Sequence, residues 1–353
     1  MDYFYSGRQS ETCRTVVATD NGQGKVAGDV NVPDNDTEST QSNDPWTSHW
    51  RTGAGSSCLE DADTELHLVQ LWDEHVDALP EKARMLDLAT GNGTVARICA
   101  ARAAARKCML EIDAVDAAEI SPSSLTQDPN QPSDSIRFHG NTHLEALPFR
   151  DGVFTSVVSQ FGFEYACESR AAAEVTRIME PGGRLRLVIH AKTGQVSSDI
   201  GRRLKRMQSV LIENGPVSLV LELARALELG DEHTINSKSQ HLPAAVELIK
   251  DFRSRALPDD SALFYSYESL MLWAQRKRYQ PADLRLSMED AWTNINNMAV
   301  RQEQMLNAAR SEEDMERMHQ LFSNYGLIVD NVTSVQDRHD VQIAWKLDAR
   351  KPS

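Results

Sequence analysis

The sequence has few cysteines and a deficit of basic residues. Its 353 residues include five cysteines, none in a C-x-x-C pair or near histidines at metal-ligand spacing. This pattern predicts reduced thiols, and neither a disulfide framework nor a metal site. Lys and Arg number 37 against 52 Asp and Glu, a formal net charge of −15. The imbalance argues against broad nucleic-acid binding, because neutralising phosphates requires clustered basic side chains.

Long hydrophobic runs are also missing. No segment approaches the roughly 20 apolar residues needed to cross a bilayer, and the polar start at Met1–Arg8 lacks the apolar region of a signal peptide. We therefore expect no membrane span and a cytoplasmic protein. The length exceeds that of one average domain, so either an elaborated domain or a core with a cap is expected.

What the chain does contain is an apolar strand that turns sharply into a helix. Residues 85–94 read MLDLATGNGT, and a helical run follows over 95–106. Glycine can take positive φ and leaves the backbone open to close approach, and amide groups at a helix start can meet a ligand directly. The stretch predicts a site for a nucleotide-like cofactor.

Two patterns overlap in this stretch. From Gly91 it has the spacing Gly-x-Gly-x-x-Ala, with Asp116 after the next apolar run, which fits a dinucleotide fingerprint. From Asp87 the same residues form Asp-x-Ala-x-Gly-x-Gly. This second pattern resembles motif I of the class I S-adenosylmethionine-dependent methyltransferases, although Ala89 stands where that family usually has glycine.

Later elements favour the methyltransferase resemblance. They are Leu-Pro-Phe followed by Asp-Gly-x-Phe over 147–154, the strand 155–160 that continues into 161–165, and the Pro-Gly-Gly turn at 181–183. The resemblance is close from Met85 to His190 and weaker from Gly326 to Lys351. It implies an α/β fold with a Rossmann-like, doubly wound, seven-stranded sheet whose last strand is antiparallel.

The chain divides into five predicted regions. Residues 1–44 are polar and are expected to be disordered, 45–80 hold an aromatic segment and a helix that pack on the core, 81–195 form the cofactor-binding core, 196–318 form a helical cap between the fifth and sixth strands, and 319–353 complete the sheet. Trp46 and Trp50 would lie against the body either as a flap over the site or as a structural clasp. The apolar run 263–273 could line an acceptor pocket, form the core of the cap, or mediate a homodimer.

The resemblance also implies roles for individual residues. Gly91 and Gly93 would pass the methionine portion of the cofactor, Asp87 would order its amino group, and Asp116 would accept hydrogen bonds from the ribose hydroxyls. The full predicted cofactor-binding set is Asp87, Ala89, Thr90, Gly91, Asn92, Gly93, Asp116, Ala117, Asn141, Thr142, His143, Ser159 and Gln160. For Asp87 and Asp116, the alternative is a capping or turn role.

The predicted activity is methyl transfer from S-adenosylmethionine to a small-molecule acceptor by in-line displacement, with S-adenosylhomocysteine as product. Such a transfer requires mainly alignment, and it needs a base only where the acceptor sheds a proton. Candidates near the reaction are Gln160, Glu164, Tyr165 and His190, with His49 as a further base. Two alternatives are an inactive cofactor-binding protein with a regulatory or scaffolding role, and an NAD-dependent oxidoreductase.

Overall fold

The computed structural model describes residues 44–51, 62–120, 136–255, 257 and 260–353. The N-terminal tail for which disorder is predicted lies outside these residues, except for Asp44.

A seven-stranded sheet forms the centre of the fold. Its strands are β1 Lys82–Leu88, β2 Met109–Val115, β3 Ile136–His139, β4 Phe154–Gln160, β5 Met179–His190, β6 Ile328–Gln336 and β7 Gln342–Arg350. They lie in the order β3-β2-β1-β4-β5-β7-β6. Strands β1 to β5 pair in parallel, whereas β7 is antiparallel to both β5 and β6. The predicted Rossmann-like sheet with an antiparallel last strand is confirmed.

Helices cover both faces of this sheet. Before β5 the helices are α1 Pro45–Arg51, α2 Ala62–Asp77, α3 Thr94–Arg106 and α4 Glu168–Ile178. Alternate residues of β1 show how the two faces are buried: Met85 packs with α2 and α3, and Leu86 and Leu88 pack on the opposite side with α4. Period-two alternation places successive side chains on opposite faces, so both faces of a central parallel strand must be apolar.

The chain between β5 and β6 is helical. Its helices are α5 Gln195–Leu211, α6 Pro216–Leu229, α7 Glu232–Ser239, α8 Leu242–Ser254, α9 Ser261–Ala274, α10 Pro281–Ala308 and α11 Glu312–Asn324. Their limits follow local signals: Pro216 and Pro281 stand at helix starts, and Gly230 ends α6 in the left-handed conformation. The expected helical insertion between the fifth and sixth strands is therefore confirmed.

The two ends of this insertion pack on the sheet itself. Val196 and Ile200 of α5 join the core on one face, and Met318 and Phe322 of α11 join the core on the other. The predicted limits of the cap, 196 and 318, thus fall inside α5 and α11. The middle helices form two further apolar clusters of their own.

The aromatic run of α9 is divided between the inside and the surface of the cap. Trp273 is buried in the cap core, whereas Phe264 and Tyr267 are exposed. These exposed side chains border a surface groove of about 870 Å³ between α8 and α9. A homodimer through the cap stays a prediction. Within the described parts of the chain, no helix is both long and apolar enough to cross a membrane.

Candidate functional site

The turn between β1 and α3, which we call the glycine loop (residues 89–93), is closed by Asp87. One carboxylate oxygen of Asp87, Oδ2, accepts hydrogen bonds from Thr90 Oγ1 at 2.6 Å and from the Ala96 amide at 3.2 Å. Asp87 is buried, and this burial raises its pKa to about 7. The carboxyl group therefore ties the end of β1 to the first turn of α3.

Asp116 links the end of β2 to the same loop. Its Oδ2 accepts a hydrogen bond from the Gly91 amide at 2.7 Å, and its Oδ1 accepts one from the Ala118 amide at 2.9 Å. Burial raises the pKa of Asp116. Each carboxylate oxygen has more than one lone pair, so both can still accept a hydroxyl of a ligand.

Ala89 occupies the position at which the family usually has glycine, and the structure shows how it fits. Its φ is 50°, in the left-handed region. An ideal Cβ on Gly162 would lie 2.5 Å from Cβ of Ala89. The glycine after β4 therefore provides the space that the methyl group of Ala89 occupies.

A cavity of about 290 Å³ lies beside the glycine loop, at the carboxyl ends of the strands. Its lining residues are Asp44, Trp46, Trp50, Ala89, Asp116, Ala117, Ala118, His143, Leu144, Glu145, Phe161, Gly162, Tyr165 and Ala166. It brings together five of the residues predicted from sequence: Ala89, Asp116, Ala117, His143 and Tyr165. This is the edge where open α/β sheets bind ligands.

Helix α1 covers this cavity from the side of the cap. The Trp46 and Trp50 rings stack with centroids 6.0 Å apart, and Trp46 meets Tyr165 edge-on at 5.6 Å. Trp46 Nε1 donates to Gln304 Oε1 of α10 at 2.7 Å. Asn92 Nδ2 in the glycine loop donates to the Trp50 carbonyl at 3.3 Å. Helix α1 therefore contacts both the glycine loop and the cap, a position that suits a flap and a clasp equally.

Residues 86–187 match a protein family described as a methyltransferase domain. A curated relative, the demethylmenaquinone methyltransferase of Thermus thermophilus, is 37% identical over 116 residues, which cover 31% of this chain and 49% of the relative. This chain contains a class I S-adenosylmethionine-dependent methyltransferase domain. It spans about half the length of that curated relative.

Solved structures resemble the methyltransferase chain more distantly. A SAM-dependent methyltransferase from Aquifex aeolicus is 11% identical, with 86% of this chain and 97% of that chain covered and a TM-score of 0.42. One from Methanosarcina mazei is 14% identical, with 78% and 95% covered and a TM-score of 0.37.

Several predicted residues of the methyltransferase domain serve its internal structure. Ser159 Oγ donates to the Leu88 carbonyl at 3.0 Å and accepts from the Phe163 amide at 3.1 Å. Gln160 Oε1 accepts a hydrogen bond from Trp72 Nε1 at 2.7 Å. These bonds fasten the end of β4 to β1 and α2. Neither residue lines the cavity.

In the loop after β3, too, some of the predicted residues shape the loop itself and one lines the cavity. Asn141 adopts a left-handed turn with φ 52°, and the Thr142 amide donates to the Asp116 carbonyl at 2.8 Å. Thr142 Oγ1 donates to the Gly140 carbonyl at 3.1 Å. Of the three residues predicted for this loop, only His143 lines the cavity.

Glu164 and His190 form a buried pair behind the cavity. The His190 Nδ1 lies 2.8 Å from Glu164 Oε1, and the His190 amide donates to the same oxygen at 2.9 Å. The His190 ring lies 4.2 Å from the Phe161 ring and 6.2 Å from the Tyr165 ring, measured between centroids. Both rings line the cavity, so they stand between this pair and any ligand.

Sequence reasoning did not select Phe161 or Glu145 as site residues. The sequence pattern extends the strand 155–160 into 161–165, but β4 ends at Gln160 and Phe161 has a φ of 56°. The glycine that follows it was the available signal, since a strand-to-turn change next to glycine indicates close backbone approach.

S-adenosylmethionine, which the family implies, suits the chemistry of these residues. The carboxylates of Asp44, Asp116 and Glu145 are among the residues that line the cavity, and their charge complements the sulfonium of the cofactor. Asp116 is placed to accept hydroxyl groups. The Trp50 ring lies close against the backbone of Gly91: an ideal Cβ on Gly91 would lie 2.5 Å from Cζ2 of Trp50. The indole thus occupies the space that the absent side chain of Gly91 leaves.

Proposed function

We propose that this protein transfers a methyl group from S-adenosylmethionine to a planar small-molecule acceptor. The observation that carries the proposal is a cavity lined by Ala89 and Asp116, which we assign to the cofactor end, and by aromatic rings, which we assign to the acceptor end. We call Trp46, Phe161 and Tyr165 the aromatic wall. Aromatic faces and edges pack well against planar rings. The name of the relative, a demethylmenaquinone methyltransferase, supports an acceptor that contains a ring.

In this proposal the glycine loop and Asp116 hold the cofactor. Asp116 accepts hydrogen bonds from the ribose hydroxyls while its bonds to Gly91 and Ala118 keep the carboxylate in place. Asp87 maintains the loop and orders the amino group. Bound S-adenosylmethionine would supply a methyl group that its sulfonium charge already activates. The remaining task of the chain is to align the acceptor in line with that group.

At the acceptor end, Tyr165 is the predicted catalytic candidate that lines the cavity. Glu164 and His190 lie directly behind it, and Glu164 orients the imidazole through Nδ1. Where the acceptor must shed a proton, we propose His190 as the base, reached after a shift of Phe161 or Tyr165. Gln160 holds the end of β4 through Trp72.

Calorimetry with S-adenosylmethionine, S-adenosylhomocysteine and NAD tests the cofactor. We expect the first two to bind, and Asp116→Ala to weaken both by roughly tenfold or more, because charge-assisted hydrogen bonds are lost. Glu111→Gln is the matched control, because it removes an exposed carboxylate on β2, the strand that Asp116 follows. This variant should bind both cofactor forms as the native protein does. Binding of NAD alone would replace the proposal with an oxidoreductase, and binding of none of the three would reject a cofactor role.

Methyl transfer itself separates an enzyme from an inactive binding protein. We expect the labelled methyl group of S-adenosylmethionine to appear on one or more members of a panel of phenols, catechols and quinols. Cofactor binding without transfer to any of them would favour the regulatory or scaffolding alternative.

A further inference from the structure

Two arginines of the helical region, Arg206, which is partly buried, and Arg301, which is buried, differ in their partners. Arg206 of α5 forms an ion pair with Asp260 and donates to the Phe252 carbonyl at 2.9 Å. Arg301 of α10 is 9% exposed, and its Nη1 donates to the Pro45 carbonyl at 3.2 Å. Among the described residues no carboxylate forms an ion pair with Arg301. Its charge is therefore buried without an ion-pair partner among these residues, and the charge of Asp44 acts on it from beyond ion-pair distance.

Burying a cation without a partner is unfavourable, because the lost hydration is not replaced by an opposite charge. The effect is visible in the pKa of Arg301, which burial lowers to about 10, while the charge of Asp44 opposes this shift. A guanidinium presents five N–H donors, and a single carbonyl contact leaves most of them available. Local features that cost stability are expected mainly at functional sites.

Arg301 does not itself line the cavity, but its hydrogen-bond partner lies between two residues that do. Its carbonyl partner, Pro45, lies between Asp44 and Trp46, and both of these residues line the cavity. One turn further along α10, Gln304 holds the indole of Trp46. The guanidinium thus approaches α1 from the cap, beside the aromatic wall.

Two of the neighbours of Arg301, His49 and Tyr265, carry no negative charge. Burial, and secondly the charge of Arg301, lowers the pKa of His49 to about 4, so this imidazole is neutral at pH 7. Burial raises the pKa of Tyr265, and the charge of Arg301 acts against that rise. The phenol is therefore also uncharged at pH 7.

We infer that Arg301 binds an anionic oxygen of the acceptor, either a carboxylate or an ionised ring hydroxyl. The planar guanidinium can bind such an oxygen group through two parallel hydrogen bonds. The inference rests on the proposed function, because the ligand would be the acceptor held between the aromatic wall and α10.

The ligand experiment measures three probes by calorimetry in the presence of S-adenosylhomocysteine. They are 4-hydroxybenzoate, which carries a carboxylate, 4-nitrophenolate, which carries an ionised hydroxyl, and the neutral 4-hydroxybenzamide. We expect at least one anion to bind better than the amide, and Arg301→Gln to weaken that anion by roughly 10- to 100-fold. An anion that binds equally well to Arg301→Gln, or an amide that binds best, would overturn the inference.

A second measurement needs no acceptor. Arg301→Met removes an unmatched charge, so we expect the melting temperature to stay the same or rise. The control Arg206→Met leaves Asp260 without its partner and should lower the melting temperature by about 5 °C or more. A similar fall in the melting temperature of Arg301→Met would show that this arginine is structural. That result would overturn the inference whatever the outcome of the ligand experiment.

The binding of S-adenosylhomocysteine, measured in the same samples, distinguishes a failure of the inference on Arg301 from a failure of the proposed function. If it binds while the anions do not depend on Arg301, only the inference fails. If it does not bind, the proposed function fails as well.

Discussion

The two sides of the proposed site are built in different ways; we call the glycine loop with Asp116 the cofactor end and the aromatic wall the acceptor end. At the cofactor end, the glycine loop is one continuous segment whose shape depends on backbone conformation and on backbone amides bound by Asp87 and Asp116. At the acceptor end, the aromatic wall combines side chains from α1 and from the turn after β4, and α10 holds one of them. The first end depends on local chain geometry, and the second on packing between distant segments.

This difference explains why the two ends should respond differently to substitution. A change in the glycine loop alters backbone hydrogen bonds that a ligand would use directly. A change behind the aromatic wall alters the support of side chains, so its first effect should be on stability. Three substitutions test this distinction.

Glu164→Ala should have the largest effect on stability. It removes the acceptor for both the His190 amide and Nδ1 in a buried site, which should lower the free energy of unfolding by about 3 to 5 kcal/mol. Denaturant titration measures this loss. Glu168→Ala, which breaks the partly exposed ion pair with Arg310, should cost under about 1 kcal/mol.

If the two ends are independent, Glu164→Ala should change the affinity for S-adenosylhomocysteine little at temperatures below its unfolding transition. A loss of affinity as large as that in Asp116→Ala would show that the aromatic wall and the glycine loop act as one unit.

Asp87 should make stability depend on pH. Because burial raises its pKa from 3.8 to about 7, the folded state keeps a proton that the unfolded state has released between about pH 4 and 7. The free energy of unfolding should therefore fall as the pH rises through this window, by up to about 1.4 kcal/mol per pH unit. Denaturation at several pH values measures the slope.

Asp87→Asn should remove this contribution to the slope, whereas Asp290→Asn, an exposed carboxyl on α10, should leave it unchanged. An identical slope in the native protein and in Asp87→Asn would contradict the assignment.

Gly91→Ala should have a smaller effect and tests where the two ends meet. Placing alanine at the φ of 54° should lower the free energy of unfolding by about 1 to 2 kcal/mol whether or not the Trp50 indole is present. The methyl group of the alanine would also meet Trp50. Removing the indole with Trp50→Ala should relieve only the second cost. A double-mutant cycle should give a coupling energy of about 1 kcal/mol.

Gly93→Ala is the matched control for this cycle. Its φ is also positive, but an ideal Cβ there would meet Phe138 at 2.6 Å, not Trp50. Trp50→Ala should therefore give no relief. Equal coupling at both glycines would show that Trp50 acts on the loop as a whole.

The sequence predicted the position of the glycine loop because its signals are local. The pattern from Asp87 to Gly93 lies within seven consecutive residues, and the structure places that turn between β1 and α3. The seven-stranded sheet with its antiparallel last strand followed from the family resemblance that the later motifs carry. The position of Asp116 at the end of β2 followed from the next apolar run.

Side-chain direction was harder to predict than position. Ser159 and Gln160 stand at the end of β4 as expected, yet their polar atoms bond to Leu88 and Trp72. Their place in the chain indicates the sheet edge, but hydrogen-bonding partners from other segments decide which way they point. His143, by contrast, reaches the cavity.

By itself, then, the sequence determined the sheet, the helical insertion and the cofactor turn, because periodicity and glycine spacing act over a few neighbouring residues. Only the tertiary structure decided the acceptor end. Trp46 and Gln304 are 258 residues apart in the chain, and Arg301 of α10 donates to the Pro45 carbonyl at the start of α1. Glu164, in the turn after β4, meets His190 at the end of β5. Burial and charge pairing are properties of contacts between distant segments.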